Sequence, residues 1–291
     1  MILFFEPICL PKLWGGNQLN QLYHIEEKNM GECCGISAHP KYSTKVMDGP
    51  HHGMTLKTLY ETYPQYFGHF PDSRFPILVK LIDADKDLSI QVHPHNDYAL
   101  KHDGDLGKEE CWYILKSDNA NILIGHDFGH KKQVREAIKQ QRLIEHMRFY
   151  PIKAYDYFYI PVGTVHAILK HTFLLEVSQS SDVTYRLFDY DRVDKDGHQR
   201  DLHIESSLDV MNFPDDKVIK EHQKRYFDFE VIDQNHLESY VAHEYGDYLA
   251  ILEGFGKMKG KKIQRGDFLM VTSKDSYEIN GTLKFARIRI I

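Results

Sequence analysis

Long apolar runs are missing from this chain. No uninterrupted stretch approaches the ~18 residues that a membrane-spanning helix needs, which excludes a helical membrane protein. Cysteine is scarce: of four, Cys33 and Cys34 are adjacent while Cys9 and Cys111 lie far apart, so neither a regular disulfide framework nor a zinc-ribbon spacing exists. All four are expected to be reduced thiols of a cytoplasmic protein. Positive charge is not in excess either. With 36 Lys and Arg against 42 Asp and Glu, the net charge is −6 and the signs are interspersed, which argues against a nucleic-acid binder that relies on a basic face. Eleven prolines are too few for a collagen-like or disordered composition. The opening MILFFEPICLPKLW has no basic residue before Lys12 and is broken by Glu6 and Pro7, which is not the pattern of a secretory leader. No internal repeat and no low-complexity tract is found.

What is present is enough chain for a sizeable core. The 291 residues are 42% hydrophobic and 27% charged, which fits one or two globular domains. Short apolar runs bounded by Gly, Asp, Asn or Pro recur throughout and predict strands at 77–82, 88–93, 111–115, 157–161, 174–178, 248–252, 268–271 and 285–290. Helical periodicity is confined to 54–67, 97–102 and 131–147, and in the last the phase slips near Gln140 and Gln141, which predicts two short helices. Many strands and few helices predict a mainly β fold, a sandwich or barrel with helical insertions. A polar stretch at 215–225 separates a main body, 1–220, from a C-terminal segment, 221–291, of strands and glycine turns that reads as a second, smaller β-domain.

Histidine is the abundant residue, with 18 copies. Three segments arrange a few of them purposefully. In LSIQVHPHND the period of a strand puts Ser89, Gln91 and His93 on one face and Leu88, Ile90 and Val92 on the other. In KEECWYIL, Lys108 and Glu110 share a face, opposite Glu109 and Cys111. In YIPVGTVHAI, Pro161, Gly163 and His166 form P-x-G-x-x-H, a turn that delivers an inward histidine from the start of a strand. Two imidazoles, a carboxylate and an amide are ligand types for one divalent transition metal, with zinc favoured by nitrogen and oxygen donors. In a small barrel these faces converge on one interior point. His51, His52, His126, His130 and His171 lie in turns or at strand edges and are read as non-ligands, and His95 as a loop residue in water.

The order Q-V-H-P, K-x-E, P-x-G-x-x-H resembles the cupin superfamily, and more closely the type I mannose-6-phosphate isomerases of the short bacterial form. The resemblance spans nearly the first 210 residues: WGG at 14–16, GECCGISAHP at 31–40, FPILVKLIDADKDLSIQVHP, GKEECWYIL and QSSDVTYRLFDYDR at 179–192. It implies a cupin-type jelly-roll barrel with a second smaller jelly-roll domain. It also implies one Zn2+ per chain held by Gln91, His93, Glu110 and His166, and an active-site arginine at Arg186. Lys108, Glu176 and Asp182 match catalytic positions, and Lys80, Ser89 and Trp14 match the substrate pocket. Two positions depart from the pattern: Tyr155 stands where a glycine is usual before the P-x-G turn, and His95 where an acidic residue is usual.

The implied reaction is reversible interconversion of mannose 6-phosphate and fructose 6-phosphate by metal-assisted proton transfer. It needs a group that moves a proton between neighbouring carbons and charge that steadies the enediolate. Lys108, Glu176 and Asp182 are all candidates for the proton carrier. Arg186 offers a fixed fork of donors for phosphate, with Lys80 and Lys108 completing a cationic pocket. Its competing role is a surface salt bridge to Asp182 or Asp189. Competing functions are another cupin metalloenzyme, whether a sugar-phosphate isomerase or an iron oxygenase, and a non-enzymatic sugar-binding cupin. The expected partner is a small sugar phosphate, with no nucleic acid or membrane, in a monomer or homodimer. The C-terminal segment has no P-x-G-x-x-H and is expected to be metal-free.

Overall fold

Alternation along the short apolar runs produces three antiparallel sheets. A computed structural model describes residues 1–194 and 196–291. One six-stranded sheet runs Tyr157–Ile160, Glu110–Ser117, Thr172–Gln179, Ile77–Ala84, Ile8–Gly16, Met30–Ser37. A five-stranded sheet runs Tyr185–Phe188, Ile90–Val92, His166–Ile168, Asn121–His126, Met147–Pro151. These two face each other as the barrel. Their shared interior is filled at one end by an apolar plug that includes Trp14, Ile82, Trp112, Ile114, Ile160 and Leu174.

The strands Ile77–Ala84 and Thr172–Gln179 are buried along their whole length, Lys80, Asp83 and Glu176 included, because both faces of each are covered. Ile82 and Leu174 face the plug, while Val79, Leu81, Leu175 and Val177 face outward into a second core. That second core is closed by Phe229, Tyr248, Ala250, Phe268 and Ile288 from an eight-stranded sheet. Its members include Phe227–Gln234, Asp247–Met258, Phe268–Val271 and Ser276–Ile290 from the C-terminal segment. Two N-terminal strands complete it: Ile2–Glu6 pairs with Phe268–Val271 and with Lys45–Val46. A chain cut at 220 would therefore leave those strands behind without their sheet.

Helices fall where the periodicity puts them. Leu56–Thr62 is capped by the Thr55 side chain, which accepts from the Thr58 N–H, and a 3-10 turn follows at Pro64–Phe67. Lys131–Lys139 and the 3-10 turn Leu143–His146 are separate, and the break is made by Gln141, whose φ is 57°. Asn96–His102 forms as expected. Gln18–Tyr23 and Ile204–Val210 are additional, each under two turns or about two turns long and too short to carry a readable period.

Two expectations need correcting. The strand at 88–93 is shorter, Ile90–Val92, so Leu88 does not share a face with Ile90 and Val92. It turns into the plug, whereas they pack on the outer side of the five-stranded sheet. The cysteines are not all thiols. Cys9 and Cys33 are direct partners across the antiparallel strands Ile8–Gly16 and Met30–Ser37, and they form a disulfide. Opposite residues on neighbouring strands come close enough for this, but only the register reveals them. Cys34 and Cys111 are free and buried.

Candidate active site and metal centre

Strand pairing assembles the site. In the five-stranded sheet Arg186 is opposite Gln91, and Gln91 is opposite His166. Directly paired residues point to the same face, so arginine, amide and imidazole form one row across three strands, directed into the barrel. His93, two residues past Gln91, shares that face. From the facing sheet Glu110 opens its strand, opposite Ser178. One donor atom from each of His93, Glu110 and His166 lies within 4.8 Å of the other two, and all three residues are buried.

The imidazoles are oriented for coordination. His93 Nδ1 lies 2.8 Å from the Val183 carbonyl oxygen and His166 Nδ1 lies 2.9 Å from that of Thr164. With Nδ1–H donating outward, each ring keeps its Nε2 lone pair for the interior. The two Nε2 atoms stand 3.5 and 3.7 Å from the two oxygens of Glu110. His93 Nε2 has no hydrogen-bond partner although it is buried, an arrangement that costs free energy in an apoprotein and that a cation would relieve. The Gln91 amide reaches within 3.3 Å of His166 Nε2, and its other end accepts from Ser89 Oγ at 3.3 Å. The set fits a divalent ion: two imidazoles, one carboxylate and one amide. Burial and the adjacent His93 push the His166 pKa down to about 3, which keeps its ring neutral at pH 7. Burial alone would raise Glu110, but Lys108 and the two histidines hold it well below the carboxylate range.

Beside the ligands runs a charged row. Lys108 contacts Glu110 and is 3.1 Å from Glu176 Oε1. Glu176 is opposite Lys80 on the next strand, and Lys80 Nζ is 3.3 Å from Glu32 Oε2, which also meets Lys12 at 3.3 Å. Although burial opposes it, Glu110 and Glu176 raise the Lys108 pKa. Burial, reinforced by the Glu110 charge, raises that of Glu176. Among these protein groups the two carboxylates outweigh the burial of Lys108.

Arg186 makes no salt bridge among the described residues. Asp189 is occupied by Arg192 and Arg200, and Asp182 by Lys41 at 3.4 Å with the Tyr42 hydroxyl at 3.5 Å. Arg186 Nε is buried without a partner, and burial with neighbouring Arg200 lowers its pKa from the ordinary value. Asp182 stands at the rim, and Trp14 is buried in the plug, where it can only form the floor. His95 is exposed, just before the helix Asn96–His102.

Three contributors escape the sequence reading. Trp112 donates its Nε1–H to Glu110 Oε1 at 2.8 Å and so fixes the carboxylate; its place two residues past Glu110 was the available signal. Glu32 reaches Lys80, and Lys12 reaches Glu32, only because Met30–Ser37 pairs with both neighbouring strands, which no local pattern announces.

A β-barrel carrying inward His, Glu, His and Gln from facing sheets defines a cupin-type metal centre. Residues 4–119 match the family model for the phosphomannose isomerase type I catalytic domain. A probable mannose-6-phosphate isomerase of Bacillus subtilis is 38% identical over 97% of this chain and 97% of its own. The crystal structure of a mannose 6-phosphate isomerase from Bacillus subtilis superposes with a TM-score of 0.93 at 33% identity, covering 99% of each chain. A zinc-bound mannose 6-phosphate isomerase shares the fold at a TM-score of 0.79 and 14% identity, over 99% of each chain. The chain belongs to the type I phosphomannose isomerase family.

Proposed function

We propose that the protein interconverts mannose 6-phosphate and fructose 6-phosphate, with a zinc ion held by Gln91, His93, Glu110 and His166. The carrying observation is the buried His93–Glu110–His166 cluster beside a partnerless arginine. A bound divalent ion would supply Lewis acidity and fixed positive charge to sugar oxygens. The protein's own groups do the rest. Arg186 receives the phosphate or a developing oxyanion through its planar fork, with Lys80 adding charge from the opposite sheet. The Lys108–Glu176 couple is the proton carrier: one member accepts the proton from C2 of the aldose and the same couple returns it at C1, the hydroxyl proton of O2 passes to O1 so that the carbonyl moves to C2, and the ammonium of Lys108 steadies the oxygen charge between the two steps. Ser89 orients Gln91 and lies on the substrate side. Asp182 with Lys41 and Tyr42 frames the rim. We assign catalysis to residues 1–220 and a metal-free covering role to 221–291. No helix among the described residues is long and apolar enough to cross a membrane, and we read the protein as cytoplasmic; the Cys9–Cys33 bridge is the one feature that runs against such a compartment.

A coupled assay with mannose 6-phosphate, before and after chelation, tests the reading. Chelation should abolish turnover and zinc should restore it. His93→Ala and His166→Ala should lose bound zinc and activity together. No turnover by the zinc-loaded protein, or stoichiometric zinc in both variants, would defeat it; oxygen uptake with iron would favour an oxygenase.

A further inference from the structure

The segment Met211–Asp215, which follows the helix Ile204–Val210, lies against the turn that delivers His166. Its backbone and side chains bind that turn at three points. The Asn212 N–H donates to the Gly163 carbonyl at 2.9 Å, and Asn212 Nδ2 donates to the Val162 carbonyl at 3.2 Å. The buried Asp215 carboxylate accepts the Val165 N–H at 2.8 Å. Asp215 is anchored in turn, since its carbonyl accepts the His126 N–H at 2.8 Å. Gly163 has a φ of 81°, and a Cβ there would come within 2.7 Å of the Asn212 amide, so the turn and the segment are fitted to each other without space for a side chain between them.

One peptide group makes this more than packing. The N–H of Val165 and the C=O of Thr164 belong to the same planar unit. Asp215 holds the N–H side, and the oxygen side accepts from His166 Nδ1 at 2.9 Å. A chain of hydrogen bonds therefore runs from Asp215 through a rigid peptide to the imidazole, each bond polarising the next. The same turn is tied to the other imidazole ligand, because the Gly163 N–H donates to the His93 carbonyl at 2.9 Å.

We infer that Asp215, supported by Asn212, is a positioning residue for the metal centre, fixing the Thr164–Val165 peptide so that His166 presents Nε2 to the ion. The inference rests on the metal reading given above. Outer partners of metal-bound imidazoles set ring orientation and basicity, and their loss weakens metal binding by about 10- to 100-fold.

The test uses the full chain, with zinc affinity measured by competition against a chromogenic chelator and visible absorption of the cobalt(II)-loaded protein. Asp215→Ala should bind zinc about 10- to 100-fold more weakly and shift the cobalt bands. Asp215→Asn, which keeps a carbonyl acceptor, should restore affinity to within about threefold and the parent spectrum. If near-UV circular dichroism shows Asp215→Ala unfolded, Asn212→Ala takes its place, since it removes a single bond from a partly exposed side chain, and it should weaken zinc about threefold or more. Unchanged affinity and spectrum in the folded variant, or an Asp215→Asn protein as weak as Asp215→Ala, would overturn the inference. An unmutated chain that fails to take up one metal ion would overturn the metal reading instead.

Discussion

Arg186 Nε and His93 Nε2 are two of the buried side-chain atoms without a hydrogen-bond partner, and these two face the candidate site. Each leaves a polar group unpaired at a cost of about 1–3 kcal/mol. Arg186→Ala should therefore leave zinc bound and the fold intact while lowering kcat by about a hundredfold or more; an unchanged rate would return Arg186 to a structural role. Glu32 shows the reverse situation. Burial opposes its charge, but Lys80 and Lys12 overcome that and bring its pKa down to about 2 from 4.5. Its folded-state pKa is depressed, so its contribution to stability is complete above about pH 4.5 and is lost as the pH falls through about 2. Glu32→Gln should cost about 3 kcal/mol in urea unfolding at pH 7 and close to nothing near pH 2. An equal cost at both pH values would refute the ion-pair account.

At the scale of elements, strand pairing makes and breaks the expectations. The alternation in 88–93 correctly puts Gln91 and His93 on the inward face, but Leu88 escapes it because the strand starts two residues later. The slip near Gln140 reappears as a left-handed residue at Gln141. Tyr155, which stands where a glycine is usual, takes the glycine-like conformation itself, with φ at 73°. It is held there by contacts from the C-terminal segment: its hydroxyl donates to Glu253 at 2.9 Å and Lys284 sits 3.7 Å from its ring centre. The Cys9–Cys33 bridge closes a separation of 24 residues, which restricts the unfolded chain by about 3 kcal/mol. Cys9→Ser should lower stability by that amount without reductant and leave it unchanged, relative to the parent, in excess reductant. A variant as stable as the parent under both conditions would mean that the bridge does not form in solution.

The whole molecule is built on a core that both ends of the chain share. Val79, Leu81, Leu175 and Val177 lie on one side of it and Phe229, Tyr248, Phe268 and Ile288 on the other. Burying each such side chain contributes about 1.5–3 kcal/mol, so uncovering four would remove a large part of a domain's stability of about 5–15 kcal/mol. A protein ending at residue 220 should accordingly lose its cooperative thermal transition and its near-UV circular dichroism, whereas a soluble, zinc-binding truncation would show that the first unit stands alone. The strands around 77–82, 88–93, 111–115, 157–161, 174–178, 248–252, 268–271 and 285–290, the helices within 54–67, 97–102 and 131–147, and the inward placement of Gln91, His93, Glu110 and His166 were legible, because a period of two or of about 3.6 is written in consecutive residues. Sheet order and register are not written there, since they depend on which distant strands pair. That pairing alone decided the Cys9–Cys33 bridge, the reach of Glu32 to Lys80, the joining of Ile2–Glu6 to the C-terminal sheet, and the grip of Asp215 on the peptide before His166.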